Sequence, residues 1–127
     1  MVRPARFHQR FLCDIPVEIY SPAHRTKYSE GRIVDIGVGG VGVALQYTLA
    51  KTTPYEFRFK YDEHELRLTG RVAWEGPRDP KKTKTHHYGI AMNMSVSQEG
   101  VVRIIIDRIR LKQMPTEEGR MRDYWKP

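Results

Sequence analysis

Between Tyr55 and Trp74 the chain alternates, turns, and alternates back. Tyr55, Phe57, Phe59 and Tyr61 stand at every second position against Glu56, Arg58 and Lys60. Leu66, Leu68, Gly70, Val72 and Trp74 repeat the pattern in register on one face. A period of two belongs to a strand with one buried face, because successive side chains point to opposite sides. Tyr61-Asp62-Glu63-His64 joins the runs as a hairpin connection. The same period recurs along the chain. Cys13, Ile15, Val17 and Ile19 share a face over 13–20, with Asp14, Pro16 and Glu18 opposite. Pro16 lacks a ladder donor, which suggests an edge strand or a bulge. Lys27 to Ile36 reads as a second strand and Gly39 to Tyr47 as a third, with Val41, Val43 and Leu45 on one face. Tyr88 to Met94 reads as the sixth. Gly76 to Thr85 is a polar loop with Pro77, Pro80, Lys81, Lys82 and Lys84.

One helix follows. Ser97 is the expected N-cap, with Gln98 and Glu99 in the first turn. Val102, Ile105, Ile106 and Ile109 form an apolar stripe at i, i+3, i+4 and i+7, and Arg103, Asp107, Arg108 and Arg110 take the outer side. Six short strands closed by one helix predict a mainly β fold: a small six-stranded antiparallel barrel with the helix plugging one end. The expected organisation is a basic N-terminal arm over 1–12, the barrel and helix over 13–114, and a polar tail over 115–127.

A chain of 127 residues makes one ordinary domain. Its formal charge of +7 argues for an anionic partner without naming one. Runs such as Ile104-Ile105-Ile106 are far too short to span a bilayer, so no membrane insertion is expected. Met1 to Leu12 has no apolar stretch of the kind a secretory signal needs. Cys13 is the single cysteine, and a reducing cytoplasm is the simplest setting.

Catalysis finds little support. His8, His24, His64, His86 and His87 have no carboxylate or cysteine at metal-ligand spacing, and His86-His87 reads as a solvated loop pair. No nucleophile-elbow serine is present. Gly37-Val38-Gly39-Gly40 lacks the lysine and following helix of a phosphate loop. Cys13 heads an alternating strand and reads as a buried structural thiol rather than a reactive one. Trp74 reads as core or barrel rim, with stacking on a purine the lesser alternative. The expectation is a non-enzyme with no cofactor and no metal.

Two constellations remain. Arg6 and Arg10 stand four apart in the arm, within Arg6-Phe7-His8-Gln9-Arg10. Asp35 opens Asp35-Ile36-Gly37-Val38-Gly39-Gly40, an acid followed by a glycine turn. By itself the second is an ordinary turn composition. Together they resemble the PilZ domain, a bacterial receptor module for cyclic di-GMP. That family carries RxxxR before its first strand and [D/N]xSxxG at a later strand end. Arg6 and Arg10 match the first motif; Asp35 and Gly40 match the ends of the second. Gly70-Arg71-Val72-Ala73-Trp74 and Tyr88-Gly89-Ile90-Ala91 look like the family's later strands.

The resemblance implies a cyclic di-GMP receptor whose arm closes over the ligand and signals to an effector protein. The implied ligand contacts are Arg6, Arg10, Asp35, Gly37, Gly39 and Gly40. Arginine forks suit phosphate and the O6/N7 edge of guanine, and Asp35 suits the N1 and N2 donors of guanine. Gly39 and Gly40 are expected to allow unusual backbone angles and close approach. Gly37 departs from the family pattern, which has serine there. The missing hydroxyl should cost on the order of 1 kcal/mol, or several-fold in affinity. The alternative is a PilZ-type adaptor that binds proteins but not nucleotide. A general nucleic-acid-binding barrel ranks last, because no aromatic ladder accompanies the basic residues.

Overall fold

The structure is a computed structural model that describes residues 9–21, 26–76 and 84–113 of the chain. Its elements are β1 (Phe11–Ser21), β2 (Thr26–Gly37), β3 (Gly40–Leu45), β4 (Tyr55–Tyr61), β5 (His64–Glu75), β6 (His86–Asn93) and α1 (Val96–Gln113). The strands form a closed antiparallel barrel in the order β1-β2-β3-β6-β5-β4. The expected six strands and one helix are all present. Arg6 and the 115–127 tail lie outside the described residues.

Period-two alternation fills the interior. Ile15, Val17, Ile19, Phe57, Phe59, Leu66 and Leu68 point inward from consecutive alternate positions and join one core cluster. From α1, Val102, Ile105, Ile106 and Ile109 enter the same cluster. Each such side chain contributes about 1.5–3 kcal/mol relative to exposure, so the helix is an integral wall of the domain. It packs against β1, β2 and β5.

Several expectations shift. The helix N-cap is Ser95, not Ser97. The Ser95 hydroxyl accepts from the Gln98 backbone N–H at 3.1 Å, and the Gln98 side chain accepts from the Ser95 N–H at 3.0 Å. This reciprocal pair is a capping box. β1 begins at Phe11, two residues before the expected start, and β3 begins at Gly40 rather than Gly39 and stops at Leu45 rather than Tyr47. Because the barrel is closed, Pro16 sits on no edge; an irregularity between Leu12 and Ile15 lies just before it. His86 and His87 are not a solvated loop pair. They open β6, where alternation buries His86 at 7% exposure and stacks it near Tyr88. Cys13 is half-buried, its thiol 3.6 Å from the Ile33 carbonyl oxygen. Burial, with Asp35 and Asp14 nearby, pushes its pKa up to about 12, which fits the structural reading.

Two clamps fix the helix end of the barrel. Arg108 donates to Asp62 at 3.0 Å and to both carboxylate oxygens of Glu63 at 3.0 and 2.9 Å, holding α1 on the β4–β5 turn. That turn needs its left-handed residue, Asp62, at φ 52°. The Gln113 side-chain amide donates to the Leu12 carbonyl, tying the last turn of α1 to the start of β1.

Candidate functional site

Bulges decide where the polar residues face. In β2, Ile33 pairs with Val43 and Asp35 with Gly42, so Val34 is an extra residue. Without it, Asp35 would share the inward face of Ile33. The bulge turns it outward, as bulges near sites commonly do. In β5, Val72 pairs with Ile90 and Trp74 with Gly89, so Ala73 is extra. Trp74 is therefore not in register with Leu66, Leu68 and Val72. It is a rim residue on the outer face, 36% exposed.

The two bulged positions fall on one cross-strand row, Asp35–Gly42–Gly89–Trp74. A Cβ on Gly42 would stand 2.8 Å from the Asp35 carboxylate carbon, and one on Gly89 would lie 2.7 Å from Cε2 of the Trp74 ring. The carboxylate thus lies over β3 and the indole over β6. Those strands are neighbours, about 4.8 Å apart. The next outward row is Gly37–Gly40–Ala91–Arg71. A Cβ on Gly40 would overlap the Ile90 carbonyl oxygen. Two rows of small residues therefore make a shallow floor; Asp35 and Trp74 lie side by side on its first row, and Arg71 ends the second.

Arg10 reaches this floor from the arm. Its Nε donates to Asp35 Oδ1 at 2.7 Å, and Nη2 pairs with the same oxygen. The side chains are 23% and 27% exposed, so the pair is largely shielded from water. Oδ2 is the carboxylate oxygen nearest to Gly42 and the floor. Gly37 lies under the arm: a Cβ there would stand 3.1 Å from the Gln9 carbonyl oxygen and 3.4 Å from Arg10 Cγ. The absence of a side chain at 37 lets the arm lie close on β2.

The structure therefore brings together Arg10, Asp35, Gly37 and Gly40. Gly39 stands in the two-residue turn between β2 and β3, and its carbonyl accepts from the Met92 N–H at 3.1 Å. No glycine among the described residues adopts positive φ, so the unusual backbone angles expected of Gly39 and Gly40 are not used. Close approach is the need at Gly40. Arg6 lies outside the described residues. Missing from the sequence-derived set are Gly42, Gly89, Ala91 and Arg71; Trp74 was read as core or rim, with purine stacking the lesser alternative. Isolated glycines inside strands 3 and 6 were the available signal, since they mark close approach.

A groove of about 1370 Å³ runs elsewhere, across the outer faces of β3, β2, β1, β4 and β5. None of Arg10, Asp35, Gly37, Gly39 or Gly40 lines it. Much of its charge is satisfied internally, Lys27 pairing with Glu18 and Glu30, and Arg58 with Glu56. Its lining carries five cations against three carboxylates, whereas the glycine rows carry a clamped carboxylate, a cation and a part-exposed indole.

The PilZ domain family profile matches residues 4–108. A search of curated protein sequences finds no match. Among solved structures, the PilZ domain of CeSA from a cellulose-synthesising bacterium is 23% identical, with a TM-score of 0.59, covering 79% of this chain and 97% of that one. The PilZ domain of Escherichia coli YcgR, solved with c-di-GMP, is 16% identical with a TM-score of 0.66, covering 87% and 99%. The Bacillus subtilis inhibitor of motility (MotI/DgrA) is 16% identical with a TM-score of 0.64; this chain spans 90% of its own length and 55% of that chain. At these identities the structural likeness establishes the fold.

Proposed function

Because the chain belongs to the PilZ domain family, we propose that it is a receptor for cyclic di-GMP that reports binding to a protein effector through its N-terminal arm. One observation carries the reading: Arg10 is clamped on Asp35, whose carboxylate shares with the Trp74 ring a seat on two rows of glycine and alanine. Asp35 Oδ2 would accept from guanine N1 and N2, and the Arg10 fork would turn to a phosphate or a guanine edge. Arg6 would supply the second fork, as the RxxxR spacing implies. Trp74 and Arg71 stand beside Asp35 on the same two rows, offering an indole face and a cation to the ligand. A PilZ domain holding c-di-GMP in the Escherichia coli YcgR structure supports the ligand class. The proposed setting is the cytoplasm, with an effector whose process, motility or biofilm control, follows from the partner.

Calorimetric titration with cyclic di-GMP tests this, beside Arg10→Ala, Arg6→Ala/Arg10→Ala and a GTP control. Saturable heat for the wild type, reduced by Arg10→Ala and lost in the double variant, is the expected result. No heat on folded wild-type protein would overturn the receptor reading and favour the adaptor that does not bind nucleotide.

A further inference from the structure

On the outer face of the barrel, charged residues form the cross-strand row Glu30–Glu18–Arg58–Arg67. The row contains two like-charged pairs: Glu30 faces Glu18, and Arg58 faces Arg67. Like charges directly opposite on adjacent strands destabilise a sheet. The acidic pair is answered within the chain, because Lys27 donates to both carboxylates, at 3.3 and 2.5 Å. The basic pair has no such bridge. Glu56 accepts from Arg58 Nη2 at 3.0 Å, and the guanidinium carbon lies 3.7 Å from the centre of the Tyr20 ring, which fixes Arg58 in place. Arg67 has no ion pair among the described residues, and the nearby Glu65 faces Lys60 instead.

All four residues of the row line the groove of about 1370 Å³. That exceeds the roughly 300–1,000 Å³ of a small-molecule pocket. Its five strands at a spacing of about 4.8 Å span about 19 Å, the length of about six extended residues. In the adjoining outward row, Ala44 and Pro16 flank Arg32, and their short side chains leave an apolar middle. The closed barrel has no free strand edge, so a segment lying here is held by side chains and not by strand addition. A polyanion such as nucleic acid would meet Glu18, Glu30 and Glu65 in the same groove. A protein segment with one or two carboxylates at its β4–β5 end would not. The groove also adjoins the glycine rows: Arg32 and Ala44 are the next outward pair after Asp35 and Gly42 along β2 and β3. We infer that the groove docks an extended segment of the effector protein, with a carboxylate of that partner bridging Arg58 and Arg67 as Lys27 bridges Glu18 and Glu30. The inference rests on the protein-partner half of the proposed function and holds with or without nucleotide.

Panning phage-displayed random peptides about twelve residues long, twice the span of the groove, against the full chain without nucleotide tests this. Enriched peptides should carry Asp or Glu and bind the wild type saturably by fluorescence polarisation. Arg67→Glu puts a carboxylate where the partner's would sit and should weaken them more than about tenfold. The same change turns a like-charged pair into an opposite one, so the thermal midpoint should rise while binding is lost. Arg10→Ala should leave peptide affinity unchanged, and Arg67→Glu should leave the cyclic di-GMP titration unchanged. A failure of nucleotide binding and a failure of the groove are therefore read separately. No enriched peptide, enriched peptides without acidic residues, or peptides that bind Arg67→Glu as tightly as the wild type each overturn the inference. A lowered midpoint for Arg67→Glu overturns its electrostatic premise.

Discussion

Restoring the family's serine, Gly37→Ser, sets two effects of known size against each other. The hydroxyl offers one hydrogen bond worth about 1 kcal/mol. At 1.4 kcal/mol per tenfold, that is about a fivefold gain in affinity for cyclic di-GMP. Against it stands the new Cβ, 3.1 Å from the Gln9 carbonyl oxygen and 3.4 Å from Arg10 Cγ. Those contacts call for a retreat of a few tenths of an ångström, and the arm is the element that can give. Arg10 Nε now sits 2.7 Å from Asp35 Oδ1, so a shift of that size leaves it within ordinary hydrogen-bonding range. The hydroxyl should therefore win. Gly37→Ala isolates the steric part, because it adds the carbon without the oxygen, and should bind within about twofold of wild type, the scale of a few tenths of a kcal/mol. Calorimetry on the three proteins gives both numbers, and the serine-to-alanine ratio reads the hydroxyl alone. Serine binding more weakly than wild type would refute the reasoning. It would mean that the seat of the arm on a bare Gly37 matters more to the complex than the hydrogen bond.

Other expectations follow from single contacts. Gly42→Val places a side chain where the Asp35 carboxylate lies, its Cβ 2.8 Å from that carbon; calorimetry should show cyclic di-GMP affinity reduced tenfold or more, with stability lowered by about 1–3 kcal/mol for the overpacking. Arg108→Ala should lower the thermal midpoint by a few degrees at neutral pH. Hydrogen bonds from Arg108 hold the Glu63 pKa at about 2, below the ordinary glutamate value of 4.5. A depressed carboxylate stabilises above its unfolded pKa and loses that contribution as pH falls through the folded one. The midpoints of wild type and variant should therefore converge between pH 4.5 and about 2, and a gap unchanged at the acid end would refute the pairing. With its pKa near 12, the Cys13 thiol should resist iodoacetamide at neutral pH in the folded protein and react in denaturant; equal rates in both states would contradict its burial.

The barrel was legible because its signal is local. Alternation in Tyr55–Tyr61 and Cys13–Ile19 shows inward and outward residues within one strand, and the helix stripe does so within about two turns. Boundaries were less legible where two adjacent features compete for one role. Ser95 and Ser97 are both serines before an apolar run, and only Ser95 has glutamine three residues on, the spacing a capping box requires. His86 looked solvated because it follows a lysine-rich loop, yet its place opposite Leu45 fixes it inward.

The site was half legible for a different reason. Arg10 and Asp35 announce themselves by charge and by a motif, so a single chain position suffices to suspect them. The floor does not, because Gly42 and Gly89 matter only as a pair, and pairing is a property of register between strands 3 and 6. The bulges hide the rest. Strict alternation would put Asp35 behind Ile33 and Trp74 behind Val72, both inside the barrel. One extra residue in each strand, Val34 and Ala73, turns both to the same outer row. A bulge leaves no mark in composition, since Val and Ala are ordinary strand residues. What reveals it is the cost of the alternative: an aspartate among buried isoleucines would lose hydration with no partner to replace it. Reading a buried-looking acid as a bulge signal would have placed Asp35 outward from the sequence, and with it the row that ends at Trp74.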